Sequence, residues 1–85
     1  MNSMNVNNSP NFGTNYKQFT SLIKKEGCYF AQEGKGSHMK WIGPNGDMSI
    51  IPNHGHKDLG IGLMDAICKQ LNVMNPFKPT KMALN

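Results

Sequence analysis

The chain has 85 residues and a formal charge of +4, from nine lysines, no arginine and five acidic residues. This length allows one small domain, and no apolar stretch is long enough to cross a membrane, so we expect a cytoplasmic protein. The excess of lysine favours a polyanionic partner, but without arginine a phosphate would be held by point charges rather than by a bidentate fork. Cys28 and Cys68 lack the spacing of metal ligands, and we expect them to be reduced, half-buried thiols.

The N-terminal part divides into a polar lead and a helix. Residues 1–15 are rich in Asn and Ser and predict a disordered lead, because they offer too little apolar surface to offset the entropy lost on ordering. A helical period then begins, and its apolar stripe contains Tyr16, Phe19, Leu22 and Ile23. This spacing predicts an amphipathic helix that ends at Gly27, since glycine is the usual residue just after a helix.

Three short segments after this helix are typical of β-strands, at residues 28–32, 37–42 and 48–52. Residues 43–47 read Gly-Pro-Asn-Gly-Asp and predict a tight hairpin between the second and third strands, because proline presets one backbone angle and glycine supplies a positive φ. We expect the third strand to end at Pro52, which has no N–H for the ladder.

The C-terminal part contains a loop, a second helix and a tail. Residues 53–58 predict a loop, and large or apolar side chains then recur at helical spacing. These are Leu63, Ala66, Ile67, Gln70 and Leu71. Residues 74–85 have two prolines and no period, so we expect a domain at 16–73 followed by a tail. The predicted fold is α+β in the order α-β-β-β-α, with a three-stranded antiparallel sheet covered on one face by two helices.

The second predicted strand alternates polar and apolar side chains. His38 and Lys40 would share one face of the sheet, while Met39 and Trp41 share the other, since successive strand residues point to opposite sides. If the helices lie on the Met39 and Trp41 side, His38 and Lys40 are left on the bare face or at its edge. A glycine-rich loop that carries Lys35 precedes this strand. A histidine and a lysine on one exposed face after such a loop are suited to bind a phosphodiester.

Four segments together resemble the HicA toxins of bacterial toxin-antitoxin systems. They are the helix at 19–27, the Gly36-Ser37-His38 strand entry, the Ile51-Pro52-Asn53-His54-Gly55 step and the closing helix at 63–71. These segments have the family's order and compatible spacing, and the likeness covers residues 19–73. Its most specific parts are Gly-Ser-His within a strand and Pro-x-His-Gly after the hairpin.

The resemblance implies a fold like that of a double-stranded-RNA-binding domain and a metal-independent endoribonuclease that acts on messenger RNA without a cofactor. It also implies a HicB antitoxin that covers the His38 face, and His38 as the catalytic general acid or base. The expected RNA-binding residues are Lys35, Gly36, Ser37, Lys40 and His54. Asn53 departs from the family, in which this position is often arginine, so a phosphate contact is not implied there.

The chemistry of RNA cleavage suits these residues. RNA carries its own nucleophile, the 2′-hydroxyl, and cleavage needs a proton acceptor for this group or a proton donor to the departing 5′-oxygen. Histidine fits either role because imidazole exchanges its proton near neutral pH. Lys35, Lys40 and the backbone N–H groups around Gly36 and Ser37 would stabilise the developing charge. We therefore expect a 2′,3′-cyclic phosphate and a 5′-hydroxyl as products.

A metal site is not expected. The five carboxylates are scattered singly along the chain, which is unlike a two-metal nuclease. His54 and His56 form a His-x-His pair, but an isolated pair in a loop is weak evidence for a transition metal.

Two other readings of the same residues remain open. The chain is alternatively a small RNA-binding module of the same fold, with lysines on the RNA backbone and His38 donating only a hydrogen bond. In the second alternative, the chain is an interaction subunit whose basic face binds an acidic partner protein. Among the aromatic residues, Trp41 and Tyr16 have core spacing, and only Tyr29 is left as a platform on which a base could stack.

Overall fold

The computed structural model describes residues 14–77, so the predicted lead up to residue 13 and the predicted tail from residue 78 lie outside the described residues. Within this range the chain forms five strands and two helices. In chain order they are β1 (Thr14–Asn15), α1 (Tyr16–Lys24), β2 (Tyr29–Glu33), β3 (His38–Ile42), β4 (Met48–Pro52), β5 (Asp58–Leu59) and α2 (Ile61–Leu71). Apart from the two-residue strands β1 and β5, this is the predicted α-β-β-β-α order, and the predicted fold class is confirmed.

Helix α1 begins at a capping box. The Gln18 N–H donates to the Asn15 side-chain oxygen at 2.9 Å, and the Asn15 N–H donates to the Gln18 side-chain oxygen at 3.0 Å. The helix ends at Lys24, and the chain turns through residues 25–27 with Gly27 at φ +98°. Glycine is favoured at this left-handed position, which is why the predicted stop falls here.

Strands β2, β3 and β4 form one antiparallel sheet in that order. β3 and β4 pair without interruption, from His38 opposite Pro52 to Ile42 opposite Met48. β2 pairs with β3 less regularly, because the register shifts at Ala31. β2 and β3 each begin one residue later than predicted, whereas β4 has the predicted bounds.

The hairpin between β3 and β4 has the predicted turn. The Gly43 N–H donates to the Asp47 carbonyl at 2.7 Å, and Gly46 has φ +93°. Gly43 is also required by packing, since a Cβ there would collide with the Leu71 carbonyl oxygen at the end of α2. The hairpin therefore fixes both the β3–β4 register and the approach of α2.

The ladder between β1 and β5 was not predicted. Thr14 lies opposite Leu59 and Asn15 opposite Asp58. Two-residue strands are too short to show a period, so the sequence predicts a lead at Thr14 and Asn15 and a loop at Asp58. This ladder ties the start of α1 to the segment after β4, and Leu59 contributes to the core with only 4% of its surface exposed.

Both helices pack against one face of the sheet. The core draws on α1, on α2 and on alternate residues of β3 and β4. Its members are Phe19, Ile23, Cys28, Met39, Trp41, Ile51, Leu59, Met64, Ile67, Cys68 and Leu71. Met39 and Trp41 are buried, while His38 is exposed and Lys40 half-buried, so the predicted division of β3 into two faces is confirmed.

Helix α2 ends in a left-handed residue and is followed by a short segment that packs on it. Asn72 has φ +61°, and its N–H donates to the Lys69 carbonyl at 3.2 Å. Asn75 is buried and its side-chain amide donates to Asp65 at 3.0 Å. The beginning of the predicted tail is therefore held against α2. In the part of the chain from 14 to 77, neither helix is long and apolar enough to cross a membrane.

Candidate active site

The sheet has one face without a helix, which we call the open face. Its side chains follow from the alternation along β3 and β4 and from the partners of β3 on β2. They are Tyr29, Gln32, His38, Lys40, Ile42, Met48, Ile50 and Pro52. None of these residues, all within the described range, carries a carboxylate, so the open face is basic and apolar.

His38 is the first residue of β3 and its side chain is exposed on the open face. The backbone around it is fixed, since the His38 N–H donates to the Lys35 carbonyl at 3.1 Å and the His38 carbonyl accepts from the Gly34 N–H at 2.6 Å. A Cβ on Gly34 would lie 2.9 Å from that carbonyl, which explains glycine at this position. The imidazole itself has no hydrogen-bond partner among residues 14–77, so both ring nitrogens are available to a substrate.

The turn before His38 contains three of the predicted RNA-binding residues, Lys35, Gly36 and Ser37. Gly36 has φ +57°, and a Cβ there would meet no atom within 4 Å, so the turn faces open space. The Ser37 carbonyl accepts from the Asn53 N–H at 2.7 Å. This bond ties the turn to the loop after β4 and brings the backbone next to His54 to the same end of the sheet.

The loop at 53–57 is shaped by Asn53. Its side-chain oxygen accepts from the Gly55 N–H at 3.1 Å, and the Lys57 N–H donates to the His54 carbonyl at 3.2 Å. The side-chain oxygen of Asn53 therefore has a role within the loop. His54 is exposed and follows Asn53, whose N–H bonds to the turn before His38. The side chains of His54 and His38 make no direct hydrogen bond with each other.

A cleft of about 340 Å³ adjoins this end of the sheet on the side of the helices. Its walls come from the start of α1 and from the loop after β4, and they include Tyr16, Lys17, Asn53 and His56. The positions of Lys17 and Tyr16 at this end of the molecule are not predicted by the sequence. The signal was absent because the β1–β5 ladder, which brings the two segments together, is too short to be seen in the sequence.

Three lysines lie on β3 or in the two segments that adjoin its first residue, His38. Lys40 lies two residues along β3 on the same face, about 7 Å from His38 by the rise of a strand. Lys35 lies in the preceding turn and Lys57 in the loop after β4, and both are exposed. An anion at His38 would therefore meet positive charge from more than one segment, as electrostatic stabilisation of a phosphate requires.

The cysteines do not provide a nucleophile. Cys28 and Cys68 are free and buried. Burial raises the pKa of the Cys28 thiol, and it raises that of Cys68 to about 11, with Cys28 and nearby carboxylates adding to the shift. Both thiols therefore stay protonated at neutral pH. Within the described range no three His, Cys, Asp or Glu side chains are grouped to hold a metal ion.

The aromatic residues divide between the core and the open face. Trp41 is 2% exposed, its indole N–H donates to the Tyr16 hydroxyl at 3.0 Å, and its ring meets Phe30 edge to face at a centroid distance of 6.0 Å. Tyr29 is 57% exposed and lies opposite Ile42 on the open face. Trp41 is thus a core residue, as expected, and Tyr29 is the aromatic side chain on the open face.

The fold and the site define a small basic α+β domain that presents one histidine and a lysine on the uncovered face of its sheet. Residues 16–73 match the family model described as "HicA toxin of bacterial toxin-antitoxin". The chain therefore belongs to the HicA family of toxins, and the resemblance carried by Gly-Ser-His and Pro-x-His-Gly is confirmed.

A protein of Pseudomonas fluorescens (strain Pf0-1) named "Probable mRNA interferase HicA" is similar to this chain. The two are 43% identical over 58 residues, which make up 68% of this chain and 93% of the relative. No solved structure matches the chain.

Proposed function

We propose that this toxin is an endoribonuclease that cleaves messenger RNA in the cytoplasm, and that His38 is its catalytic residue. The family and the name of the Pseudomonas relative support the activity. The observation that carries the assignment of His38 is its exposed imidazole, which has no partner among residues 14–77 and stands on a face with Lys40 and without a carboxylate.

The position of this ring supports the following reaction. The 2′-hydroxyl of one nucleotide attacks the adjacent phosphorus, the 2′-oxygen–phosphorus bond forms, and the bond from phosphorus to the 5′-oxygen breaks. His38 accepts the proton of the 2′-hydroxyl or donates one to the 5′-oxygen, and water completes the other transfer. A positioned group of this kind contributes roughly 10² to 10⁴ in rate.

Positive charge would stabilise the phosphorane during this step. Lys40 stands on the same face, and Lys35 precedes His38 in the turn. The backbone of Gly36 is open to close approach, since nothing lies where its Cβ would be. The exposed His54 adds a hydrogen-bond donor at the same end of the sheet. We propose that these residues, together with Ser37, hold the RNA backbone.

We propose that the reaction needs no metal ion and no cofactor. The nucleophile is part of the substrate, and one imidazole with lysine side chains supplies the proton transfer and the charge. The described residues offer isolated histidines and carboxylates rather than a group suited to a divalent ion.

A HicB-like antitoxin is the proposed partner. The open face presents Met48 and Ile50 with 49% and 41% of their surface exposed, on the same side of the sheet as the exposed His38. A protein that covers these side chains would bury apolar surface and block the imidazole in one step. Inhibition by occlusion would leave the fold of the toxin unchanged.

Digestion of a purified messenger RNA tests the enzyme against the RNA-binding module. We expect wild type to cleave in EDTA and to leave 2′,3′-cyclic phosphate and 5′-hydroxyl ends, while His38→Ala binds RNA without cleaving it. His56→Ala is the matched control, because it removes an exposed imidazole on the helix side of the loop. Ends with a 5′-phosphate, or loss of cleavage in EDTA, would contradict the mechanism, and RNA binding without cleavage by wild type would favour the module.

A further inference from the structure

The open face contains apolar surface that His38 chemistry does not use. Tyr29 has 57% of its surface exposed, Met48 has 49% and Ile50 has 41%, although all three stand on strands of the central sheet. Isolated apolar side chains on a surface are ordinary, but here they are neighbours on one sheet face without a helix over it. Ile50 lies opposite Lys40, whose other partner is Gln32, and Tyr29 and Met48 lie on either side of Ile42, the next residue of β3 on this face.

These side chains are arranged in order along β3. His38 stands at the start of the strand, Lys40 with its partner Gln32 follows, and Ile42 with its partner Tyr29 stands at the far end. Ile42, the partner of Tyr29, lies four residue steps along β3 from His38, a distance of about 13 Å. One nucleic acid strand can cover that distance in a few nucleotides while its backbone stays near the lysine.

We infer that the open face is a track for single-stranded RNA, on which a base stacks against Tyr29 while Lys40 and Gln32 contact the backbone between Tyr29 and His38. This inference rests on the proposed function, because it takes RNA as the substrate of His38. It adds the path of the RNA, the role of Tyr29 and the strandedness of the substrate.

Charge and continuity favour RNA as the occupant of this face. The chain has a formal charge of +4, and the open face, as the structure describes it, has a lysine and no carboxylate. Base stacking uses flat apolar surface, and it tolerates any sequence because every base has a π-face. The track also continues directly into His38. The proposed antitoxin would cover the same face and would therefore exclude RNA from it.

A single strand fits this surface better than a duplex. In a duplex the faces of the bases are stacked on one another, and proteins recognise its shape through 2′-hydroxyl and phosphate contacts across a groove. The open face offers an aromatic ring and only point charges, without arginine for bidentate phosphate contacts. Base stacking on Tyr29 therefore requires unpaired nucleotides.

Tyr29 is the aromatic side chain suited to this role. Trp41 is buried, and Phe30, although 45% exposed, has its ring against Trp41. Phe77 is 42% exposed but lines a groove on the far side of α1 with Leu22 and Thr14. Phe77 is therefore a matched control, since it has a similarly exposed ring outside the open face.

The test measures binding of a short labelled RNA to full-length protein that carries His38→Ala, so that no cleavage interferes. We expect Tyr29→Ala to weaken binding of the single strand by about tenfold, Tyr29→Phe to bind within about twofold, and Phe77→Ala to have no effect. Lys40→Gln is expected to weaken binding and to lower its salt dependence, whereas Lys25→Gln, at the exposed residue that follows α1, is expected to do neither. The same RNA annealed to its complement is expected to bind at least tenfold more weakly.

A second measurement does not depend on a substitution at Tyr29. The ring resonances of Tyr29 in the His38→Ala protein are expected to shift when the single-stranded RNA is added. Equal effects of Tyr29→Ala and Phe77→Ala, equal affinity for duplex, or unchanged Tyr29 resonances would overturn the track. Failure of wild type to cleave any RNA would instead remove the proposed function, and the binding series would still decide whether the track exists.

Discussion

The two faces of the sheet come from the same strands and differ in almost every other respect. Ile50 and Ile51 are adjacent on β4, yet Ile51 is fully buried under the helices while Ile50 is 41% exposed. On β3 the same step separates the buried Trp41 from the half-buried Lys40. A small α+β domain needs only one sheet face for its core, so the other face is free for the proposed reaction.

The covered face satisfies its polar groups internally. The Ser49 hydroxyl, 2% exposed, donates to the Gln70 side chain at 2.5 Å, and the Trp41 indole donates to Tyr16. On the open face, His38 has no such partner within the described range. Buried polar groups are costly unless they are paired, whereas an exposed imidazole keeps its hydrogen-bonding capacity for a substrate. The covered face therefore contributes to stability, whereas the open face is the one that we propose acts on RNA.

The largest effect on stability is expected from a matched pair on β4. Ile51→Thr removes buried methyl groups and places a hydroxyl in the core, which we expect to lower the free energy of unfolding by about 2–4 kcal/mol. Ile50→Thr makes the same chemical change on the open face and is expected to stay within about 0.5 kcal/mol of wild type. Urea denaturation of both variants measures the difference. Similar losses from the two variants would show that the open face is covered after all.

A smaller effect is expected from a second matched pair of substitutions, both tyrosine to phenylalanine. Tyr16→Phe leaves the buried Trp41 N–H without its acceptor, and we expect a loss of about 1 kcal/mol. Tyr29→Phe removes an exposed hydroxyl from the open face and should be close to neutral. Thermal unfolding of the two variants provides the comparison, which would fail if Tyr29→Phe were the more damaging change.

The smallest effect on the free energy of unfolding is expected from the buried thiols, which stay protonated near neutral pH. Because burial raises the pKa of Cys68 to about 11, from the ordinary value of 9.0, the unfolded chain loses this proton at lower pH than the folded protein. The contribution is fully present below pH 9, and the free energy of unfolding should fall between about pH 9 and 11. Cys68→Ala should flatten this fall relative to wild type. Parallel pH profiles for the two proteins would contradict the burial of the thiol.

The sequence predicted the parts of the molecule that depend on local chemistry or on a regular period. Pro-Asn-Gly at 44–46 predicted the hairpin, and the alternation along β3 predicted that His38 and Trp41 lie on opposite faces of the sheet. The β1–β5 ladder was missed because two residues show no alternation. The shift of register at Ala31 was missed because a short run of aromatic and small residues does not reveal which side chain leaves the ladder.

The residues of the candidate site were also predicted only in part. The Gly-Ser-His turn and its lysine neighbour are contiguous in the chain, so they were found together. Its connection to the loop of His54 runs through the bond between Ser37 and Asn53, a contact between segments that no local pattern indicates. Tyr29 was found only as an open possibility, because its place on the open face depends on its pairing with Ile42.

The most direct test of the account is to measure RNA cleavage and unfolding on the same preparation of His38→Ala. We predict that the rate of cleavage falls by roughly 10² to 10⁴ while the free energy of unfolding stays within about 0.5 kcal/mol of wild type. A variant that still cleaves at the wild-type rate would contradict a catalytic imidazole on the open face. A variant that loses several kcal/mol of stability would show that this ring belongs to the core.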